Sequence, residues 1–198
     1  LTHRISFRTG IMSVSLTAMM LVTGVACDRA NEPESPWGLA REVSSSAPAA
    51  GAYVLDPDHS FIYFAAQHLV VGAVRGRFNT MTGAAVAGND PLPSRVDVVI
   101  EAASLDTQND PRDAELRGPD FFDVTAFPRI EYHGTGFRRV GEGWIVDGSL
   151  TIRGVAREVP LELVFKGTAP PQAGQPSRIA VHATAAVKRA DFGMTRGL

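Results

Sequence analysis

Histidine is the residue of this chain best suited to binding a metal or carrying a proton, so the five histidines are considered first. They are His3, His59, His68, His133 and His182. No two of them stand at the close spacing that zinc sites typically use, and the single cysteine of the chain adds no second thiolate. The spacing therefore favours histidines that are held by hydrogen bonds, and it predicts no metal site.

Nucleophiles and paired carboxylates are present, but their placement does not favour catalysis. The chain has no G-x-S-x-G motif, and neighbouring residues of a strand, such as His59 and Ser60, point to opposite faces. Asp113, Glu115, Asp120 and Asp123 offer carboxylates that could include an acid/base pair. Ion pairs and helix caps with the neighbouring arginines explain these carboxylates more simply, and we predict no catalytic residue. An envelope enzyme that acts on a small lipid-like substrate, with these carboxylates and His59 or His68, stays open as an alternative.

The carboxylates belong to a segment, Arg112–Pro128, that differs from the rest of the chain. Its sequence is RDAELRGPDFFDVTAFP, and Gly118-Pro119 should end a short helix because proline disfavours helix in the residue before it. The adjacent Phe121 and Phe122 could not both be buried in a regular strand. We therefore predict a helix followed by an irregular segment that lays both rings over the mouth of a cavity, as a lid. In the segment 188–193, we expect Arg189 to act as a charged latch, which pairs with a carboxylate of the lid.

Composition limits the partners of the protein. The 198 residues carry a formal net charge of −2, and 20% of them are charged. A basic excess of the kind that marks nucleic-acid binding is absent, so we predict no nucleic-acid partner.

The first 52 residues predict export and a tether. The range 1–27 has a positive start, an uncharged apolar run of 16 residues (11–26) and small residues before Cys27, which is typical of a signal peptide. The residues before Cys27 resemble a bacterial lipobox, which predicts that Cys27 is acylated and anchors the mature protein to a bacterial membrane; cleavage by an ordinary signal peptidase is the alternative. Residues 28–52 mix Pro, Ser, Ala and charge without a period and predict a flexible linker. The expected location is periplasmic, on a membrane.

Residues 53–198 predict one all-β domain. Apolar residues alternate with polar ones along about eight short segments, most cleanly in Arg95–Glu101. Turn signals separate these segments, and Gly141-Glu142-Gly143 and Arg153-Gly154 predict two hairpin turns. Antiparallel strands with one apolar face must close into a barrel or pair as two sheets. If the eight strands close into an antiparallel barrel, with one short helix as the lid, its interior is just wide enough for side chains or one small ligand. Small residues at inward positions, among them Gly148 and Ala183, favour a cavity over a solid interior.

We expect a ligand in this cavity to be held by the inward-facing side chains and by the two phenylalanines of the lid. These candidate ligand-binding residues are Ile62, Phe64, Val98, Ile100, Phe121, Phe122, Tyr132, Val146, Leu150, Leu161, Leu163, Val181 and Ala183.

Several motifs of residues 53–194, taken in order, resemble the YceI-like family. They include Asp58-His59-Ser60, Gly76-Arg77-Phe78, Ser104-Leu105-Asp106-Thr107, Asp120-Phe121-Phe122-Asp123, the segment GSLTIRG at 148–154 and the segment RADFG at 189–193. The resemblance implies a lipocalin-like barrel of an exported bacterial protein that binds a long isoprenoid or similar amphiphilic lipid, without catalysis by the fold itself. It implies no cofactor other than a bound isoprenoid lipid or quinone. An envelope protein with a filled barrel is a further alternative, and a homodimer stays open.

The sequence departs from the family pattern at two places. The family commonly has His where Glu115 stands. This difference weakens any role that the family would assign to the position, either in the lid or at the end of the barrel that takes the lipid head group. The family also continues past the D-F-G segment into a last strand, whereas here only Met194–Leu198 follow. Without that strand the barrel would expose an open edge, so we expect either that the sequence is truncated or that the barrel closes differently.

Overall fold

The structure, a computed structural model, describes residues 11–22, 48–68, 72–88, 94–171 and 176–196, and for 11–22 only the backbone and its pairing. Cys27 and nearly all of the predicted linker lie outside these residues. The described part contains one α-helix, α1 (Asp110–Arg117), and twelve strands. The strands are β1 (Ile11–Val22), β2 (Gly51–Leu55), β3 (Phe61–His68), β4 (Gly72–Phe78), β5 (Met81–Ala87), β6 (Arg95–Glu101), β7 (Leu105–Asp106), β8 (Arg129–Val140), β9 (Gly143–Ile152), β10 (Val155–Glu158), β11 (Leu161–Ala169) and β12 (Ser177–Lys188).

All strand pairings are antiparallel and form a single curled sheet. The order runs β12-β11-β9-β8-β6-β5-β2-β1, and β12 pairs with β1 as well, so eight strands follow one another around a closed path. β3, β4 and β7 continue from β1, and β10 pairs with β9. The predicted all-β, lipocalin-like class with one helix is confirmed.

Period-two alternation places the core, as β6 illustrates. Val96, Val98 and Ile100 are buried, while the intervening residues are partly or fully exposed. Because successive side chains of a strand point to opposite faces, one apolar series per strand is enough to fill the interior.

The sheet edge that would be exposed without a last strand is paired in the structure. β1 is in register with β12 along its whole length, and its other edge pairs with β3 and β2. Leu16 stands opposite the buried residues Ile62 and Ala183 in this register. In the described pairings, β1 thus lies between β3 and β12.

Two predicted turns are present. The β8–β9 hairpin connects Val140 to Gly143, and Gly141 in the loop has φ +59°. The β9–β10 hairpin has Arg153 and Gly154 as its two loop residues, both with positive φ, as a type I′ turn requires. This second turn places Arg153 beside the lid.

α1 begins and ends at recognisable caps. The Asn109 side chain accepts a hydrogen bond from the N–H of Arg112 at 3.0 Å, and Pro111 lies in the first turn, where its missing N–H costs nothing. The helix ends at Gly118, before Pro119. Among the described residues, no helix has the length and apolar character needed to cross a membrane.

Candidate functional site

A small apolar pocket opens at the barrel end opposite α1. Its volume is about 100 Å³, and seven different strands contribute to its wall. Residues of the wall include Tyr53, Ala85, Val96, Phe137, Trp144, Leu163 and Val181. Nearly all of this wall is hydrocarbon or aromatic, so it can hold an apolar group but offers few groups for acid/base chemistry.

Tyr132 lies deeper in the barrel than this pocket and closes the barrel at that depth. Its hydroxyl lies 2.9 Å from the carbonyl oxygen of Val146 and 3.1 Å from that of Val159, so two acceptors share its one proton. Burial, and then the negative charges of Asp147 and Glu158, raise the pKa of Tyr132 to about 12. The phenol is therefore a neutral, buried hydrogen-bond donor in the middle of the barrel.

Gly148, which packs against the Tyr132 hydroxyl, does not leave free space. A Cβ atom on Gly148 would lie 2.6 Å from the Tyr132 hydroxyl oxygen and 2.5 Å from the carbonyl oxygen of His133. The expectation that Gly148 contributes to a cavity was wrong at this position, because the phenol ring occupies the space that the missing side chain leaves.

Phe122 fills the end of the barrel below α1. It is 4% exposed, and its ring meets those of Phe78 and Phe64 at centroid distances of 5.6 and 6.4 Å, both edge to face. Phe121 is only partly buried and lies 6.0 Å from the guanidinium carbon of Arg189. The two rings thus do different things: Phe122 plugs the barrel, and Phe121 covers it from outside.

Arginines hold the lid, although not in the pairs that the sequence suggested. Arg112 donates to the Thr107 hydroxyl and carbonyl, and Arg117 donates to the carbonyl oxygens of Ala103 and Leu105. These arginines therefore fasten α1 to the β7 segment through neutral acceptors.

The partners of the lid carboxylates and of the irregular segment come from distant parts of the chain. Arg196 pairs with Asp120 and, at 3.6 Å, with Glu115. Arg153 donates to the carbonyl oxygens of Pro119 and Phe121. The latch expected of Arg189 is shared: Arg189 lies over the Phe121 ring, and Arg196 supplies the pairs with carboxylates.

One carboxylate of the lid is buried. Asp113 accepts hydrogen bonds from the Thr107 N–H at 3.0 Å and from the Thr107 hydroxyl at 2.5 Å. These bonds fix the start of α1 against the strand that precedes it, which is a structural role.

The groups considered for catalysis or metal binding have separate partners. His59 lies 2.9 Å from Asp56, and His133 lies 2.8 Å from Asp97. Within the described ranges no three His, Cys, Asp or Glu side chains are grouped so that they could hold a metal ion. The side chain of His68, His3 and Cys27 lie outside what the structure describes.

The predicted ligand-binding residues do not share one cavity. Only Leu163 and Val181 line the apolar pocket. Phe121 covers the barrel from outside. The other ten form the filled interior or its partly buried margin: Ile62, Phe64, Val98, Ile100, Phe122, Tyr132, Val146, Leu150, Leu161 and Ala183. Their role in binding stays a prediction.

The sequence reasoning missed three large residues of the pocket, Tyr53, Phe137 and Trp144. For Trp144, a tryptophan at a strand start beside a hairpin turn was the available signal. Phe137 lies beyond a register shift between Gly134 and Gly136, which changes the face that the following residues occupy. Alternation of polar and apolar residues along the sequence does not reveal that change of face.

Comparisons with known proteins agree with this fold. The YceI-like domain family profile matches residues 53–198. A UPF0312 protein of Yersinia pestis (strain Pestoides F) is 33% identical over 159 residues, which cover 78% of this chain and 82% of that relative. The YceI protein of Campylobacter jejuni superposes with a TM-score of 0.51 at 28% identity, over 64% of this chain and 74% of that chain. BcnA of Burkholderia cenocepacia shares the fold with a TM-score of 0.50 at 18% identity, over 66% of this chain and 98% of that chain. The family profile and the similarity to the Yersinia protein show that this chain belongs to the YceI-like domain family.

Proposed function

We propose that this protein binds an isoprenoid-type or similar amphiphilic lipid inside its barrel and acts by holding or carrying it, not by catalysis. The observation that carries the proposal is the apolar pocket built by seven strands around Phe137, Trp144 and Leu163. Burying a hydrocarbon chain gains about 0.8 kcal/mol per CH₂ and needs no charged group. A wall of this kind suits an alkyl or prenyl chain, and membership of the YceI-like family is consistent with it.

The location belongs to the same proposal. The uncharged run before Cys27 supports export, and an acylated Cys27 would tether the domain to a bacterial membrane in the periplasm; this maturation removes residues 1–26, and the mature barrel then lacks β1. A protein that handles a membrane lipid has reason to stay beside the bilayer.

Native mass spectrometry tests both parts. The chain is expressed with its own leader, purified under mild conditions and measured first natively and then denatured. We expect a non-covalent adduct that is lost on denaturation and whose mass identifies an isoprenoid or quinone. A chain that is free of adduct, and that stays so after incubation with prenols, would refute lipid binding. An acyl mass on Cys27 in the denatured spectrum would establish the anchor independently.

A pair of neighbouring variants ties the adduct to the pocket. Leu163→Glu places a carboxylate among apolar side chains, where an unpaired charge is strongly disfavoured. Val164→Glu places the same charge one residue away on the exposed face of β11. We expect only the first variant to lose the adduct; equal retention by both folded variants would place the ligand elsewhere.

A further inference from the structure

The outer face of β3 and β4 carries two exposed aromatic rings next to two arginines. Phe61 and Tyr63 are 41% and 47% exposed, and their ring centroids lie 6.3 Å apart. Arg77 stands opposite Tyr63 in the β3–β4 register, and Arg75 stands two residues before Arg77 on the same face. These four residues are called the β3–β4 face below.

A cleft beside this face is large enough for a lipid head group. Its volume is about 590 Å³, and it is lined among others by Tyr63, Arg75, Arg77, Asp106 and Thr107. The lid borders it, because Thr107 is hydrogen-bonded to both Arg112 and Asp113. A molecule in the cleft would therefore lie next to the lid end of the barrel.

The cleft has an excess of positive charge. Arg77 is 3.5 Å from Asp106, and the Asp106 carboxylate also accepts the N–H of Gln108 at 2.8 Å. No carboxylate of the described residues lies within ion-pair distance of Arg75, whose side chain is exposed. One guanidinium is thus left to bind an anion from outside.

We propose that the β3–β4 face docks on an anionic lipid bilayer. Amphipathic aromatic rings are enriched at the level of lipid head groups, and guanidinium groups bind phosphate through paired hydrogen bonds. Phe61 and Tyr63 insert among the head groups, Arg75 and Arg77 bind lipid phosphates, and the cleft receives one head group. Docking in this way holds the lid end of the barrel against the membrane. This contact is separate from any anchor on Cys27 and from the apolar pocket.

Vesicle sedimentation with matched arginine variants tests the charge contribution. The full chain carries Cys27→Ser in every sample, so that acylation cannot contribute. Vesicles are either phosphatidylcholine alone or phosphatidylcholine with phosphatidylglycerol at three to one. We expect tighter binding to the anionic vesicles, reduced by about tenfold or more in the double variant Arg75→Ala with Arg77→Ala, since each arginine near an anionic surface contributes a factor of roughly five. Arg157→Ala removes an exposed arginine from β10 and should leave binding unchanged.

The aromatic pair has its own variant and control. Phe61→Ser with Tyr63→Ser should weaken binding to both kinds of vesicle, because insertion of the rings does not require anionic lipid. Val140→Ser changes an equally exposed apolar residue at the β8–β9 turn and should have no effect. Circular dichroism and retention of the lipid adduct show that each variant is folded, so a failure of docking is distinguished from a failure of lipid binding.

Three results would overturn the proposal. They are equal binding to neutral and anionic vesicles, binding that the double arginine variant leaves unchanged, and an arginine-dependent site that takes inorganic phosphate while the protein does not sediment with vesicles. The last result would establish a site for soluble anions in place of a membrane contact.

Discussion

Removing one oxygen atom from Tyr132 tests whether the middle of the barrel is sealed as the structure shows. Tyr132→Phe keeps the ring that fills the space beside Gly148 and removes the hydroxyl that two buried carbonyl groups share. A neutral hydrogen bond contributes about 1 kcal/mol, and a buried carbonyl left without a donor adds about 1 kcal/mol or more. We expect a loss of about 2 kcal/mol in the free energy of unfolding at pH 8, or roughly 4–8 °C in Tm for a domain of this size.

The pH dependence of that loss follows from the raised pKa. The folded phenol has a pKa of about 12, whereas that of an unfolded tyrosine is about 10. Above pH 10 the unfolded chain loses this proton first, so the stability that the hydroxyl contributes is complete below pH 10 and is lost as the pH rises towards 12. At pH 11 the loss should be about 1.4 kcal/mol, because each unit of pKa difference corresponds to about 1.36 kcal/mol. The difference in unfolding free energy between the unmodified protein and the Tyr132→Phe variant should therefore shrink from about 2 kcal/mol at pH 8 to less than about 1 kcal/mol at pH 11.

Urea unfolding followed by circular dichroism measures this difference at pH 8, 9, 10 and 11. Other groups that titrate in this range are present in both proteins and cancel in the comparison. Tyr63→Phe is the matched control, because this tyrosine is exposed on the outer face and its substitution should leave stability nearly unchanged. Two results would refute the interpretation that the Tyr132 hydroxyl seals the middle of the barrel. One is a Tyr132→Phe protein as stable as the unmodified one, and the other is a difference in unfolding free energy that does not change between pH 8 and pH 11.

Three further substitutions probe the lid and the barrel interior. Phe122→Ala should cost about 3–5 kcal/mol of unfolding free energy and weaken lipid retention, measured by urea unfolding and by the native adduct; retention at the original level would exclude a role for this ring in holding lipid. Gly148→Ala should cost about 1–3 kcal/mol, because the new methyl group collides with Tyr132 and with a strand carbonyl, and an unchanged Tm would contradict the close approach. Asp113→Ala should cost about 2–3 kcal/mol, because it leaves the N–H and hydroxyl of Thr107 without their charged acceptor; hydrogen exchange should then quicken in α1 first, and uniform exchange would argue against a local role.

Local patterns in the sequence were enough to predict most strands, the two hairpin turns and the helix. Alternation over Arg95–Glu101 identifies β6 to the residue, because a strand with one buried face repeats every two positions whatever it pairs with. Gly118-Pro119 marks the end of α1 for an equally local reason. Such signals need no knowledge of the partners of a segment.

The site depended on long-range register, which the sequence does not display. Gly134 and Gly148 stand opposite each other only when β8 and β9 pair, and that pairing makes room for the ring of Tyr132. The pairs of Arg196 with Asp120 and Glu115 likewise join residues that are far apart in the chain. Charge runs predict that ion pairs form, but not which residues form them.

The apolar run before Cys27 shows how one pattern supports two interpretations. Its length and lack of charge predict a signal peptide, and this stays a prediction. In the structure residues 11–22 of this run form β1, and the sequence does alternate there: Val14 and Leu16 stand between Ser13, Ser15 and Thr17. Hydrophobicity alone could not distinguish a leader from a strand, whereas the alternation was a signal for the strand.

The volume of the pocket sets a limit on what the closed barrel can hold. A pocket of about 100 Å³ is small beside the roughly 300–1,000 Å³ of typical ligand sites, so it accommodates a short segment of a hydrocarbon chain but not a long chain. Burying a short segment of about four methylene groups, for example, gains about 3 kcal/mol, which is less than the roughly 4 kcal/mol of a millimolar complex. Tight binding of a long chain therefore requires the interior to open, either at Tyr132 or at Phe122.

The contacts favour opening at the lid. Tyr132 is held by two buried hydrogen bonds, whereas the segment that carries Phe122 is fastened on its outside by the exposed pairs of Arg196, and exposed ion pairs contribute little. Hydrogen exchange with and without a prenol tests this: a fifteen-carbon prenol should quicken amide exchange across residues 110–127, whereas a five-carbon prenol, which is short enough to lie in the pocket and its open mouth, should not. Tight binding of the longer prenol with exchange in the lid unchanged would place the opening at Tyr132 instead, and the longer chain should then bind more tightly when Tyr132 is replaced by Ala.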